Sequence, residues 1–249
     1  MTAPRIVLYA IFAAAAATLA ALFLRSAPYG RHYRDGWGPC LQARTAWIIM
    51  ELPAVVAIAA MALTAPSVSV VAIVFLAAWE CHYLYRTFAY PALMTSSPRT
   101  FPALLVAIAW VFNTANGYVN GWRLFWSPSA YSLDWLRDPR FVAGALLFAA
   151  GLSTHVWADA VLRRLRGPGE TGYRIPRGGL YELVSAPNYL GEIVEWLGWA
   201  LATWSFAGLS FALFTIANLL PRALSHHAWY RRTFADYPRK RRAIIPLIL

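Results

Sequence analysis

Polar and ionisable residues recur at helical spacing inside apolar runs of this chain. The densest case is 185–206, SAPNYLGEIVEWLGWALATWSF, which carries Asn188, Glu192 and Glu195. Offsets of four and three residues put all three roughly on one helix face. A carboxylate inside a membrane-length apolar helix is costly, so it faces the protein interior or a wet cavity and marks a site. Comparable groups stand elsewhere. Glu51 lies two residues before Pro53, and Glu80, Tyr83 and Arg86 are spaced by three beside His82 and Tyr85. Asn113, Asn116 and Asn120 follow near-helical spacing, and Asp159 sits four after His155, four before Arg163 and seven before Arg166. Arg222, His226 and Tyr230 are four apart, with His227 alongside. Taken singly, each equally suits a polar contact between helices. Taken together, over six of seven apolar runs, they outline a polar pocket inside a membrane protein.

The elements that must position them are long and apolar. Runs of about 20 apolar residues are transmembrane candidates, and seven are present: 6–24, 46–64, 68–90, 102–121, 141–162, 187–204 and 207–228. The first outlasts a signal peptide's apolar core and is kept as a mature helix. Composition agrees: 59% of the 249 residues are hydrophobic and 13% charged, against about 25% charged in soluble domains. Twelve Trp and thirteen Tyr suit interfacial belts as well as a pocket. Arginines concentrate between runs one and two, between five and six, and after run seven, so the positive-inside rule places the N-terminus outside and the C-terminus in the cytoplasm. The net charge of +11 is accounted for by basic loops that set topology and meet anionic lipid, not by nucleic acid. With no internal repeat or low-complexity linker, the chain is expected to form one all-α membrane domain over 1–249.

Several motifs fail their context. Gly167–Gly172 fits G-x-G-x-x-G, but a membrane run precedes it and Tyr-Arg-Ile-Pro follows, so a dinucleotide-binding βαβ unit is excluded and turn glycines are expected. His226 and His227 point about 100° apart on a helix and lack a third ligand, so no metal is expected. Arg239–Arg242 is expected to anchor to anionic lipid. Cys40, in a loop, and Cys81, in a helix, do not form a disulfide framework.

The chain resembles the steroid 5α-reductases. The likeness rests on Ala46-Trp47 to Glu51-Leu52-Pro53, His82-Tyr83 with Arg86-Thr87-Phe88, and Pro168-Gly169-Glu170 with Tyr173-Arg174-Ile175-Pro176. It continues through Gly178-Gly179-Leu180, Asn188 with Leu190-Gly191-Glu192, Glu195-Trp196, then Arg222, His226, Tyr230, Asp236-Tyr237-Pro238 and Ile245-Pro246. The resemblance implies seven membrane helices that enclose NADPH and an apolar substrate. It also implies reduction of the C4–C5 double bond of 3-oxo-Δ4 steroids, with hydride added at C5 and a proton at C4. By position, Tyr83 and Glu51 match the pair that polarises the 3-keto oxygen. An enone accepts hydride readily only if that oxygen is stabilised as it becomes an enolate, which donors in a dry site do well. Glu51 must then carry a proton or share one with Tyr83, as a protonated buried acid does in ketosteroid isomerase.

The resemblance further implies that Arg99, Arg166 and Arg174 lie near the cofactor phosphates, where guanidinium groups suit bidentate binding. Asp159, Tyr173, Asn188, Glu192, His226 and Tyr230 match polar positions around NADPH, and Trp196 matches a wall of the substrate cavity. Residues 1–121 would then hold the substrate side and 141–249 mainly the NADPH-binding half. Three residues depart from the pattern: Met50 where a glutamine precedes the glutamate, His155 where an asparagine is expected, and Pro187 before Asn188. The Arg- and Ala-rich composition points to a bacterial inner membrane, and a monomer is expected. Other readings are a membrane methyltransferase of the isoprenylcysteine type, a non-catalytic sterol-binding protein, and a reductase of acyl or polyprenol double bonds.

Overall fold

The computed structural model describes residues 2–94, 100–127, 131–165, 167, 170 and 172–249. These are dominated by helices: α1 (Ala3–Leu24), α2 (Ala43–Leu63), α3 (Val70–Leu84), α4 (Tyr90–Ala92), α5 (Ala103–Gly121), α6 (Pro139–Arg164), α7 (Pro187–Thr203) and α8 (Phe206–Thr233). The seven long helices coincide with the seven expected runs. On length and composition α1, α2, α6 and α8 are apolar enough to cross a membrane. The other three are shorter or more polar: α3 and α7 have 15 and 17 residues, and α5 buries Asn113, Asn116 and Asn120.

Two short strands, β1 (Cys40–Gln42) and β2 (Thr100–Pro102), pair antiparallel with Leu41 opposite Phe101. Cys40 therefore lies in a strand and not in the expected loop. Both Cys40 and Cys81 are free thiols. The strands lie immediately before α2 and α5 and hold those two helix starts at one end of the molecule.

Close approach of α6 and α7 depends on glycine. A Cβ on Gly151 would stand 2.3 Å from the Glu195 nitrogen, and one on Gly144 2.4 Å from that of Ala202. From the other side, a Cβ on Gly191 would stand 2.6 Å from the His155 nitrogen, and one on Gly198 2.4 Å from that of Phe148. Each pair is seven residues apart on its helix, which keeps all four glycines on a single seam. Small residues let membrane helix backbones approach in this way. The seam faces a core of Phe75, Trp79, Trp196, Trp199 and Phe211.

At the other end of α7, Trp204 adopts a left-handed conformation (φ 41°). Ser205 then caps α8 by accepting a hydrogen bond from the Gly208 backbone. The tail after α8 returns to the α6–α7 loop: Arg242 N donates to the Leu183 carbonyl at 2.9 Å, and Ser185 N to that of Arg242 at 2.8 Å. This corrects one expectation. Arg241, in the run expected to meet lipid, is buried, donates to the Pro176 carbonyl at 3.1 Å and lies 3.5 Å from Glu182. Its neighbours Arg239, Lys240 and Arg242 are exposed.

Candidate active site

The polar groups on these helices converge on one cavity of about 810 Å³, near the upper end of the roughly 300–1,000 Å³ typical of ligand sites. Glu51, Tyr83, Asp159, Tyr173, Arg174, Asn188, Glu192, His226 and Tyr230 all line it. Arg99 and Arg166 lie outside the described residues, as do Pro168, Gly169 and Thr171 of the glycine-containing loop. Trp196 is not in the lining. It is fully buried behind the cavity wall, its ring centroid 5.8 Å from that of Tyr83 and 4.3 Å from that of Phe211. Its bulk supports Tyr83 from behind, where a substrate-facing wall was expected.

Along the middle of the cavity runs a chain of charges. Arg86 Nη2 donates to Glu51 Oε1 at 3.4 Å, and Asn113 Nδ2 donates to Glu51 Oε2 at 3.4 Å and to the Met50 carbonyl at 2.7 Å. Arg86 Nη1 lies 3.8 Å from Asp159 Oδ2. Asp159 is held by Asn188 Nδ2 at 3.2 Å and lies 3.4 Å from His155 Nε2. His155 Nδ1 faces Glu192 at 3.4 Å. Arg86 also stacks on Trp47, its guanidinium carbon 4.5 Å from the ring centroid. This arginine follows Tyr83 by three residues and falls within a π-helical turn, Tyr85–Ala89, a distortion frequent at functional sites. Four helices and one distorted turn thus fix a connected set of acids, amides, one imidazole and one guanidinium.

The face shared by Asn188, Glu192 and Glu195 divides. Asn188 and Glu192 open into the cavity, whereas Glu195 is sealed and faces His82 Nδ1 at 2.8 Å. Glu80 does not join Tyr83 and Arg86 in the lining, and both its carboxylate oxygens are buried without a hydrogen-bond partner. Arg163 donates to the Tyr85 hydroxyl at 3.0 Å.

One end of the cavity is cationic and aromatic. Arg31, in the loop after α1, lies 4.7–4.8 Å from the rings of Tyr173, Trp229 and Tyr230. Arg222 lies 4.7 Å from the Tyr29 ring. His32 stacks on His226 at 5.4 Å between centroids. Burial, together with the charges of Arg31, Arg34 and Arg232, pushes His32 below the usual histidine range. Arg31 Nη1 and His32 Nε2 are buried without hydrogen-bond partners. Arg174, lining the same end, is largely exposed and reaches Glu170 at 3.0 Å. The three segments expected to share one side, the loop after α1, the α6–α7 loop and the end of α8, therefore meet here. The same cavity is also lined by the apolar side chains of Leu105, Ile108, Phe112, Phe211 and Phe214.

Arg31 was invisible in the sequence because a loop arginine carries no periodicity. Arg86 gave the signal of an intramembrane cation, but only the fold shows that it links Glu51 to Asp159.

A family model described as 3-oxo-5-alpha-steroid 4-dehydrogenase matches residues 99–249. The chain is 42% identical over 233 residues to 3-oxo-5-alpha-steroid 4-dehydrogenase 1 of Bos taurus, covering 92% of this chain and 90% of that protein. It is 44% identical over 232 residues to the protein of the same name in Rattus norvegicus, covering 89% and 86%. With the steroid 5-alpha-reductase DET2 of Arabidopsis thaliana it shares 38% over 246 residues, covering 96% and 93%. Likeness of this extent to animal and plant proteins alike shows that the chain belongs to the 3-oxo-5-alpha-steroid 4-dehydrogenase family of oxidoreductases.

Proposed function

We propose that the protein is an NADPH-dependent reductase of the C4–C5 double bond of 3-oxo-Δ4 steroids, embedded in a membrane by seven helices with its C-terminus in the cytoplasm. The observation that carries this reading is one cavity lined together by apolar side chains, by the Tyr83–Glu51 pair and by Arg31, Arg174 and Arg222. An apolar ring system fits the first, a polarised carbonyl the second and a phosphorylated cofactor the third.

The residues present fit NADPH. The buried, unpartnered Arg31 Nη1 in the cavity lining is a group that phosphate oxygens satisfy, because a buried donor without a partner is costly. Arg31, Arg174 and Arg222 would hold the phosphates, with Arg99 and Arg166 assigned there by resemblance. Asp159, Tyr173, Asn188, Glu192, His226 and Tyr230 would hold the ribose and amide portions. NADPH, when bound, supplies the hydride that adds at C5. Tyr83 holds its phenolic proton toward the 3-keto oxygen and stabilises the charge that develops there. Glu51 acts at the same oxygen as a second, proton-bearing donor. Its contacts with Arg86 and Asn113, both 3.4 Å, orient the carboxyl. Burial of the centre excludes the water that would compete for that oxygen. Residues 1–121 supply the substrate side and 141–249 most of the cofactor side. The relatives favour this reading over a methyltransferase or a sterol-binding protein.

The test is NADPH oxidation by the detergent-purified protein with testosterone or progesterone, with the configuration at C5 determined. Formation of the 5α-dihydro product is expected. Saturable NADPH binding without turnover of any 3-oxo-Δ4 steroid would refute the substrate, and no NADPH binding would refute the cofactor.

A further inference from the structure

We infer that His82 and Glu195 form a buried proton-holding pair that delivers the proton added at C4. The inference rests on the enone-reduction reading above, which requires one proton for each hydride and leaves its source unassigned.

Glu195 is fully buried on α7, and His82, at 2% exposure, is nearly so on α3. They meet through Nδ1 and Oε1 at 2.8 Å. Glu195 Oε2 is buried and has no hydrogen-bond partner. A carboxylate in such a place, with no cation against it, is far more costly than a neutral acid. His82, unlike Glu195, lines the cavity. With Nδ1 committed to Glu195, Nε2 is the ring nitrogen left to face the ligand space. His82 also precedes Tyr83 directly, and their rings stand edge to face at 4.9 Å. Both residues line the cavity, so the proposed step needs a carbonyl held by Tyr83 to turn its α-carbon toward His82. The other acids near that centre each have a partner of their own: Glu51 has Arg86 and Asn113, Asp159 has Arg86 and Asn188, and Glu192 faces His155.

The step balances. The Nε2–H bond of His82 breaks as its proton forms a C–H bond at C4. The enolate electron pair becomes that bond, and the C3 carbonyl re-forms. The Glu195 proton passes to Nδ1, so His82 stays neutral in its other tautomer and Glu195 becomes a carboxylate. A solvent proton entering through the cavity resets Nε2, and the Nδ1 proton returns to Glu195. His155, whose ring lies 5.9 Å from that of His82 and which faces Glu192 and Asp159, lines the same cavity and can relay the solvent proton to Nε2.

The experiment compares wild type, Glu195→Gln and His82→Gln with NADPH and testosterone, in H2O and D2O, and records infrared spectra of the unliganded proteins. Glutamine at 195 still donates to His82 Nδ1 and preserves the packing, but it cannot pass a proton. The expected result is a protonated-carboxyl band lost in Glu195→Gln. A fall in kcat of about 100-fold at unchanged steroid KM should accompany it, as loss of general-acid help typically costs, with a larger solvent isotope effect. The isotope effect is a ratio, so it holds even if a variant folds in low yield. Unchanged kcat and isotope effect in both variants, or an unchanged carboxyl band, overturns the inference. A wild type that reduces no enone removes the underlying reading instead, and the infrared comparison still decides whether the pair holds a proton.

Discussion

Gly151→Ala tests whether the α6–α7 seam sets the geometry of the polar chain. The added methyl would lie 2.3 Å from the Glu195 nitrogen and 2.6 Å from the Gly191 carbonyl oxygen, about 1 Å short of the 3.4 Å at which ordinary contact begins. The obstacles are backbone atoms of a packed helix, so no side chain can swing away. Either the helices part by about 1 Å or α6 bends. Overpacking of this kind costs about 1–3 kcal/mol, which for a chain of this size lowers the unfolding temperature by roughly 2–12 °C. Parting α6 from α7 also lengthens the 3.2 Å Asn188–Asp159 and 3.4 Å His155–Glu192 contacts, because each spans that seam. A displacement of about 1 Å at a reacting centre can cost about 100-fold in rate. Thermal unfolding in detergent, followed by tryptophan fluorescence, reads the first effect, and steroid-dependent NADPH oxidation reads the second. Gly172→Ala is the control, since nothing lies within 4 Å of a Cβ there, and it should behave as wild type. A Gly151→Ala protein with wild-type unfolding temperature and turnover would refute the seam as the determinant of the site.

Three further outcomes are expected. Tyr83→Phe should lower turnover by about 100- to 1,000-fold, the usual loss for one oxyanion donor, while NADPH still quenches tryptophan fluorescence. Wild-type turnover would remove Tyr83 from the mechanism. Arg174→Ala should weaken NADPH binding about tenfold or more, as for a charge-assisted hydrogen bond, with little change in expression. Titration of the purified variant checks this, and unchanged affinity would place Arg174 elsewhere. Asp138 caps α6, and its hydrogen bonds from Arg140 pull its carboxyl down to about 2. The folded value lies below the ordinary aspartate value of about 3.9, so its contribution is present above that pH and lost as the pH falls toward 2. The difference in unfolding temperature between wild type and Asp138→Asn should therefore be constant above about pH 5 and shrink below pH 4. A difference independent of pH would refute the charge as its cause.

The helices were legible in the sequence because their signal is local. Apolar runs of bilayer length and polar groups at offsets of three and four reflect covalent chain geometry alone. That is why the seven runs coincide with the seven long helices, and why Asn188, Glu192, Tyr83 and Arg86 stood out. Glu51 stood out in the same way, and the family likeness added the expected cofactor positions. What periodicity cannot say is how each helix is rotated against its neighbours. Glu195 shares a face with Glu192 yet turns into the protein to meet His82 on α3, because the rotation of α7 against its neighbours is set by tertiary packing. Trp196, expected on the substrate wall, packs behind Tyr83 for the same reason. Arg31 and Arg241 show the complementary limit. One became part of the cavity and the other a buried clamp through contacts with segments 142 and 65 residues away in sequence. Charge patterning sees only that both are basic. Whether an arginine faces lipid, phosphate or a backbone carbonyl is decided by the tertiary packing that desolvates it.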